Sequence, residues 1–273
     1  MLAIRIGLMG AGRMATALAR GLVHAEMVPP TGIVATDPSA EARASFEQEV
    51  PGSLVADDNV PSVAKCNVIF LAVKPQKIDE ALAELKTRIS PSALVVSIAA
   101  GITVQRIATA LPQGQRIVRV MPNTPCLIGK GASGYSLGQH ATKDDGKLVA
   151  QLLSAVGVAF EVREDLLDAV TGLSGSGPAF VYSMIEALTE GGTAAGLPAE
   201  LAAELAARTA AGAAEMVLQT GETPAVLRER VTSPGGTTVA GLGVLSERGF
   251  GATVAEAVQA ATRRSAELGR ATK

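Results

Sequence analysis

The sequence predicts an α/β protein in which an N-terminal, doubly wound parallel sheet is followed by an all-helical C-terminal domain. Short apolar runs alternate with helical patterns through the first half of the chain, which is typical of a parallel sheet covered by helices on both faces. After about residue 162 no strand-like run remains. We therefore predict two domains, residues 1–162 and residues 163–273.

The strands of the sheet are predicted from apolar runs that end at glycine, proline or polar residues. These runs are residues 4–9, 33–36, 68–73, 94–98 and 117–121. Helical spacing over residues 40–49, 78–85 and 103–111 supplies crossover helices. A doubly wound sheet binds its ligand beyond the carboxyl ends of the strands. The loops that leave those ends are residues 10–15, 36–38, 72–76, 99–101 and 121–125.

The first of these loops has the spacing Gly-x-Gly-x-x-Ala. It begins at Gly10, directly after the first apolar run, and a helical pattern follows it. Gly10 permits the tight turn, Gly12 lets the backbone approach a pyrophosphate, and the small Ala15 lets the helix pack closely on the strand. This motif between a strand and a helix predicts a Rossmann-type domain that binds a dinucleotide.

Five helices are predicted in the second half of the chain. One begins at Pro178 and runs up to Gly196. The next begins at Pro198 and ends near Gly221, and a shorter one begins at Pro224. Two more follow, and the set is rich in Ala and Gly, so that it makes a thin core on its own. We expect a second subunit to complete that core; a monomer with the helices docked on the sheet is the alternative.

Composition argues against several classes of function. The chain has 273 residues and is 48% hydrophobic, yet no run reaches the roughly 18–20 apolar residues of a membrane span. The formal net charge is −2 without a basic stripe, which argues against nucleic-acid binding. Two His and two isolated Cys argue against a structural metal site. We expect Cys66 in the core, Cys126 in a loop, no disulfide, no signal peptide and a cytoplasmic protein.

Residues 231–238, Val-Thr-Ser-Pro-Gly-Gly-Thr-Thr, are the most informative segment of the chain. Residues 233–236 predict a tight turn, and Thr237 and Thr238 open a helical pattern. Glycines there leave backbone N–H groups uncovered at a helix N-terminus, which suits a carboxylate or a phosphate. From the turn alone, an ordinary glycine-rich helix start is the simpler interpretation.

With the Ala-Gly-Leu at residues 240–242, this octet resembles the signature of the pyrroline-5-carboxylate reductases, the last enzymes of proline biosynthesis. Further motifs of that family match along the chain. They lie at residues 7–15, 72–75, 96–101, 121–125 and 172–179. The resemblance implies hydride transfer from a nicotinamide cofactor to the imine carbon of L-1-pyrroline-5-carboxylate, which yields L-proline.

The resemblance also implies roles for individual residues. The substrate-binding residues would be Ser233, Gly235, Gly236, Thr237 and Thr238. Thr238 would touch the ring nitrogen as the candidate catalytic residue, although stabilising the first helical turn is an equal alternative. The implied cofactor contacts are Gly10, Gly12, Arg13, Met14, Thr36, Asp37, Asn59, Ala72, Val73, Lys74, Pro75, Ala99 and Asn123. The family commonly has Asn at the position of Arg13, and this difference leaves the two glycines of the loop unchanged.

The chemistry available in the second half favours an imine substrate. Between residues 151 and 272 there is no Lys or His, and Tyr182 is the only Tyr. Reduction of a ketone generally needs such a donor for the developing alkoxide, whereas an imine nitrogen can be protonated before the hydride arrives. Catalysis then depends mainly on positioning in a dry pocket. Two alternatives remain: a related imine or keto-acid reductase, and a non-catalytic NAD(P)-binding regulator.

The identity of the cofactor is ambiguous from the sequence. Asp37 ends the second strand, where a carboxylate accepts the ribose 2′-OH of NAD and repels a 2′-phosphate, and Arg43 is one to two helical turns further on. The resemblance nevertheless implies NADPH, and we expect NADPH with NADH as the alternative. It also implies a homodimer, or a larger ring of dimers, in which the substrate loop of one subunit serves the nicotinamide of the other.

Overall fold

The computed structural model describes residues 2–57 and 62–271 and contains two compact units. The first unit comprises the chain up to Gly175 together with residues from Ala260 onward, and the second is Ser176–Gln259. These units do not coincide with the change of pattern near residue 162, because the segment that follows the last strand still packs on the sheet. The assignment of functional domains to residues 1–162 and 163–273 stays a prediction.

The first unit is built on an eight-stranded sheet. Its strands are β1 (Ile6–Met9), β2 (Ile33–Thr36), β3 (Leu54–Ala56), β4 (Val68–Leu71), β5 (Leu94–Ser97), β6 (Arg116–Met121), β7 (Gly131–Leu137) and β8 (Gly157–Glu161). They lie in the order β3-β2-β1-β4-β5-β6-β7-β8. Strands β1 to β6 are parallel, β7 is antiparallel to β6, and β8 is parallel to β7. The predicted doubly wound sheet is confirmed, with a reversed pair of strands added at one edge.

Helices connect these strands. They are α1 (Arg13–His24), α2 (Ala40–Glu49), α3 (Ile78–Lys86), α4 (Val104–Ala110) and α5 (Lys143–Ser154), followed by the one-turn α6 (Leu167–Val170). The three predicted crossover helices therefore form α2, α3 and α4. Helix α5 did not stand out in the sequence, although Thr142 and Asp145 cap its start reciprocally through side chain and backbone.

The core lies on both faces of the sheet. Along β1 the side chain of Leu8 joins the cluster beneath α1 and α5, and that of Met9 joins the cluster beneath α3 and α4. Successive residues of a strand point to opposite faces, so that a strand covered on both sides is apolar throughout. Cys66 is buried in this core, as predicted. The expectation for Cys126 was incomplete: it lies in a short 3-10 turn, but its side chain is buried.

The second unit is helical. It contains α7 (Gly177–Ala194), α8 (Ala199–Thr220), α9 (Pro224–Arg230), α10 (Thr237–Glu247) and the first part of α11 (Phe250–Ala271). The five predicted helices are thus present. Gly196 and Gly221 follow α7 and α8 with φ of +101° and +68°, a conformation that glycine adopts without strain.

The second unit has a thin core, as the sequence predicted. No residue of α7 is buried in the single chain, and α8 buries only Ala202 and Ala206. Large apolar side chains of the unit are exposed in the single chain: Val181, Tyr182, Met184, Leu188, Leu201, Leu205, Met216, Leu218, Val231, Val244 and Leu245. An apolar surface of this extent is typical of an interface between subunits.

The described residues contain neither a candidate membrane span nor a candidate metal site. None of their helices is both long enough and apolar enough to cross a membrane. No group of three His, Cys, Asp or Glu side chains among them is placed to hold a metal ion.

Candidate active site

The loop after β1 lies against the loop after β4. Strands β2 and β4 flank β1 on its two sides, so that the chain changes direction across the sheet here. Gly10 has a φ of +103°, and a Cβ at this position would stand 2.7 Å from the carbonyl oxygen of Ala72. The N–H of Gly10 donates to the Thr36 carbonyl over 2.7 Å, and that of Ala72 to the Met9 carbonyl over 2.8 Å. The positive φ and the lack of space for a Cβ together require glycine at position 10.

The next glycine has a different role, because nothing in the protein requires it. Gly12 is the N-cap of α1, is exposed, and has an ordinary φ of −75°. No atom lies within 4 Å of the place that its Cβ would take, and no side chain caps the helix. The backbone N–H groups of the first turn of α1 are therefore open to an anion. The open space at Gly12 fits the close approach of a pyrophosphate.

A cleft of about 520 Å³ lies between α1 and α2. It is lined by Ala11, Gly12, Arg13, Thr16, Ala17, Arg20, Ser39, Glu41, Ala42, Ser45, Glu49 and Leu127. Arg20 is held there by Glu49 at 2.9 Å and by the Leu127 carbonyl at 2.7 Å. Arg13 is exposed and has no ion-pair partner in the described part of the chain, so that its charge is available to a phosphate.

Asp37 lies at the side of this loop, with both carboxylate oxygens engaged by the backbone. Oδ2 accepts the N–H of Ala11 at 3.0 Å, and Oδ1 accepts that of Ser39 at 2.9 Å. Thr36 is fully buried, and its hydroxyl donates to the Leu8 carbonyl, which leaves that hydroxyl unavailable to a ligand in this structure. The carboxylate thus joins the start of α2 to the glycine loop.

Arg43 lies closer to this site than the sequence separation indicated. Its Nη1 donates to the carbonyls of Asp37 and Pro38, at 2.8 and 3.0 Å. No carboxylate within residues 2–57 or 62–271 pairs with it. The distance along α2 was a poor guide because the long side chain folds back over the N-terminus of its own helix.

The remaining loops at the carboxyl ends are mostly backbone surfaces. Ala72 and Val73 are half-buried, Lys74 is exposed, and Pro75 begins a 3-10 turn. Ala99, after β5, is buried, and its N–H donates to the Ser97 hydroxyl over 3.4 Å. These residues can offer peptide groups and apolar surface to a ligand.

Asn59, also predicted to contact the nucleotide, lies outside the described residues.

Asn123 and Met14 are both engaged within the protein. The Asn123 carboxamide accepts the N–H of Ala132 at 2.9 Å and donates to the Ser174 carbonyl at 3.1 Å. The Cys126 thiol donates to the sulfur of Met14 at 3.0 Å. Burial raises the pKa of Cys126, which keeps the thiol protonated for this contact. The turn after β6 is thereby attached to the first turn of α1.

The predicted substrate loop, in the second unit, begins with a type II turn. Gly236 N–H donates to the Ser233 carbonyl at 2.9 Å, and Gly235, after Pro234, has a φ of +70°. Gly236 is the N-cap of α10 without any side-chain cap. The first turn of α10 therefore presents free N–H groups, as the glycines predicted.

Two threonines follow this turn. Thr237 is exposed, and Thr238 is half-buried with no hydrogen-bond partner for its hydroxyl in the described part of the chain. The hydroxyl of Thr238 can therefore donate to, or accept from, a bound ligand.

The sheet, its glycine loop and the cleft beside it define a Rossmann-type, dinucleotide-binding protein. Residues 5–101 match the model of an NADP oxidoreductase family described as coenzyme F420-dependent, and residues 164–268 match that of pyrroline-5-carboxylate reductase dimerisation. Pyrroline-5-carboxylate reductases of Methanosarcina acetivorans and Arabidopsis thaliana are 43% and 46% identical to this chain. Each alignment covers 97% of this chain, and 98% and 95% of those proteins. The chain belongs to the pyrroline-5-carboxylate reductase family.

Solved structures agree with this assignment. A pyrroline-5-carboxylate reductase of Coxiella burnetii superposes with a TM-score of 0.91 and 36% identity, covering 98% of this chain and 99% of that one. A Plasmodium falciparum pyrroline carboxylate reductase with NADP bound superposes with a TM-score of 0.87 and 33% identity, over 98% and 99% of the two chains. The resemblance found in the sequence motifs is confirmed.

The two glycines of the first loop predict different effects of substitution. Gly12→Val should lower the melting temperature less than Gly10→Ala, because the added Cβ meets no atom and only the N-cap preference for Gly over Val is lost. It should weaken NADPH binding at least tenfold, about 1.4 kcal/mol, because it fills the approach to the pyrophosphate. Gly10→Ala is the matched control: it should lower the melting temperature, since its Cβ meets the Ala72 carbonyl. Calorimetric titration and thermal melts measure both; unchanged NADPH affinity in Gly12→Val would place the dinucleotide elsewhere.

Proposed function

We propose that the chain catalyses the reaction that names its family, the NAD(P)H-dependent reduction of L-1-pyrroline-5-carboxylate to L-proline. The observation that carries this proposal is the uncapped N-terminus of α10 behind the Ser233–Gly236 turn. A helix start that exposes several N–H groups suits the carboxylate of this small anionic substrate. A reductase that acts on the C=N bond of a cyclic imine also fits a second unit without Lys or His.

The substrate loop would bind and orient the imine. Ser233, Gly235, Gly236 and Thr237 would hold the carboxylate with backbone N–H groups and hydroxyls. The free hydroxyl of Thr238 would contact the ring nitrogen, either orienting the imine or passing a proton to it through water. Protonation makes the imine carbon more electrophilic, so that the protein has mainly to position the two reactants and exclude water.

The first unit would hold the cofactor, which supplies the hydride. The proposed contacts follow the chain: Gly10, Gly12, Arg13, Met14, Thr36, Asp37, Asn59, Ala72, Val73, Lys74, Pro75 and Ala99. Asn123 would contribute only its backbone, because its carboxamide is bonded to Ala132 and Ser174. Gly12 and the open first turn of α1 support a pyrophosphate position. Thr36 would contribute its backbone, since its hydroxyl is bonded to Leu8.

We propose NADPH as the preferred cofactor, with NADH as an alternative. A carboxylate at the end of β2 would ordinarily favour the ribose 2′-OH of NADH. Here Asp37 is turned to two backbone N–H groups, and the guanidinium of Arg43 lies beside it without an acidic partner. Arg13 adds a second unpaired cation at the cleft. Together these groups offset the repulsion that a 2′-phosphate would meet at Asp37.

We also propose that the chain acts in the cytoplasm as a homodimer, with a larger ring of dimers as the alternative. The match to the dimerisation model and the exposed apolar side chains of the second unit support the dimer. The resemblance supports a site shared between subunits, with the 233–238 loop of one serving the nicotinamide of the other.

The first test of this function is turnover. Purified protein given L-pyrroline-5-carboxylate should oxidise NADPH and form proline in equal amounts, measured by absorbance at the nicotinamide band and by amino-acid analysis. A panel of linear keto acids and other cyclic imines is the control, and should give lower kcat/KM. Folded protein that turns over none of these with either cofactor would contradict the assignment.

The cofactor preference should depend on two residues with opposite sign. Asp37→Ser removes a carboxylate and should raise the ratio of kcat/KM for NADPH over NADH several-fold. Arg43→Ala removes a cation and should lower the same ratio. Steady-state kinetics with both cofactors give the ratio for each variant. If neither substitution moves it, both side chains point away from the adenosine ribose.

Charge at the start of α10 should control substrate binding alone. Thr237→Asp places a carboxylate where the substrate carboxylate would bind, and should raise the KM for pyrroline-5-carboxylate at least tenfold. An acidic residue in the first turn does not weaken the helix itself. Thr237→Asn, of the same shape without charge, is the control and should lose much less. NADPH affinity should stay unchanged in both, and a loss confined to NADPH affinity would contradict the assigned roles.

A shared site predicts complementation between the two impaired variants, when turnover is assayed at substrate and NADPH concentrations well below their raised KM and Kd. Co-expressed Thr237→Asp and Gly12→Val chains should form a mixed dimer in which one of the two sites has both parts intact. Turnover of the isolated mixed dimer should then recover to about half of the wild-type value. An inactive mixed dimer would show that each site is built within one chain.

A further inference from the structure

A five-residue π-helix, Thr171–Gly175, lies between α6 and α7. Turns of this width are rare and occur frequently at functional sites. The chain leaves the first unit directly after Gly175. Ser174, within the turn, offers its backbone carbonyl to Asn123, which follows β6.

The carboxamide of Asn123 connects three segments of the first unit. It accepts from the Ala132 N–H at the start of β7 and donates to the Ser174 carbonyl, at 2.9 and 3.1 Å. Asn123 is only 9% exposed. The two bonds need one acceptor and one donor on the same short side chain, which Asn provides and Asp, when ionised, does not.

Packing holds the same segments together. A Cβ on Gly175 would stand 2.6 Å from the terminal methyl group of Met121, the residue that ends β6. A Cβ on Gly134 of β7 would stand 2.9 Å from a methyl group of Val170, directly before the π-helix. The side chains of Met121 and Val170 therefore pack directly against these glycines, and the carboxamide of Asn123 adds hydrogen bonds between the same segments.

We propose that Asn123 is a positioning residue, which acts through the Ser174 carbonyl and the Ala132 N–H to fix the end of β6 against the π-helix. The inference rests on the proposed function, in which the cofactor and substrate lie beyond the carboxyl ends of the parallel strands, where Met121 ends β6. Hydride transfer needs the reacting atoms within roughly 3–3.5 Å, so that a small displacement lowers the rate steeply. Among the described residues, the loops proposed for the pyrophosphate and adenosine have no hydrogen bond to this side chain.

The test separates affinity from turnover. Asn123→Ala should lower kcat at saturating substrates at least tenfold, while the Kd of NADPH measured by titration changes less than twofold. Ser265→Ala is the control, because it removes another part-buried hydrogen bond of the first unit, from Ser265 of α11 to Asp168 of α6 at 2.7 Å. Ser174→Ala removes that residue's hydroxyl but keeps the carbonyl that Asn123 uses. Both controls should change kcat less than twofold.

A second variant tests the hydrogen bond itself. Asn123→Asp keeps an acceptor for Ala132, but it can donate to Ser174 only when protonated. Its kcat relative to the wild type at each pH should therefore rise as the pH falls through the pKa of the new carboxyl group. Asn123→Ala should show no such limb, because it has no proton to gain.

Several outcomes would overturn the proposal. A loss of NADPH affinity with unchanged kcat would make Asn123 a direct ligand of the cofactor. An equal loss of kcat in Ser265→Ala would show a general effect of stability, and a flat pH ratio for Asn123→Asp would exclude the bond to Ser174.

A readout without turnover keeps the proposal separate from the proposed function. Amide hydrogen exchange across residues 171–175 should be faster in Asn123→Ala than in the wild type and the Ser174→Ala control. An inactive wild type would contradict the proposed function, whereas unchanged exchange in Asn123→Ala would contradict this proposal.

Discussion

The close approach of β1 and β4 is the constraint on which the dinucleotide site depends. The carbonyl oxygen of Ala72 lies only 2.7 Å from the place that a Cβ of residue 10 would take. Two strand ends and their loops therefore meet at one glycine. Strand β2 lies on the side of β1 opposite to β4, so that a crevice opens between the loops at this change of direction. No packing contact requires glycine at Gly12, two residues later, and this residue stays open toward that crevice. One glycine thus serves the fold, and the other leaves space for a ligand.

The helix starts of the protein differ in whether a side chain caps them, and α3, α6, α7 and α8 start without such a cap. Side chains of Ser39, Thr103, Thr142 and Thr223 accept backbone N–H groups at the starts of α2, α4, α5 and α9. Helices α1 and α10 begin instead at Gly12 and Gly236, which carry no capping side chain. Unpaired N–H groups at a helix start stabilise anions. The two helices proposed to bind phosphate and carboxylate are among those that leave these groups free.

The sequence predicted the parts of the protein that depend on local pattern. The central strands, the glycine loop and the turn before α10 followed from periodicity and from glycine and proline positions. Strand β7 was not recognised because Gly131 and Gly134 weaken the strand pattern, although close packing against Cys126 and Val170 leaves no room for a Cβ at either position. The roles of Asn123 and Arg43 depend on hydrogen bonds to backbone carbonyls, which no side-chain pattern reveals. The residues assigned to the site by resemblance stay predictions until they are tested by substitution.

The composition of the second unit has a consequence for stability. Small residues let helices approach closely, as where a Cβ on Gly192 of α7 would stand 3.3 Å from that of Ala202 of α8. They also remove the bulk that would bury apolar surface within one chain, and α7 accordingly buries no residue. The large side chains that the unit does carry, such as Tyr182 and Leu218, are exposed in the single chain. Burial of such side chains is the main favourable contribution to folding, so that we expect this unit to gain stability from association. We therefore expect folding and assembly of the second unit to be coupled, with a melting temperature that rises with protein concentration.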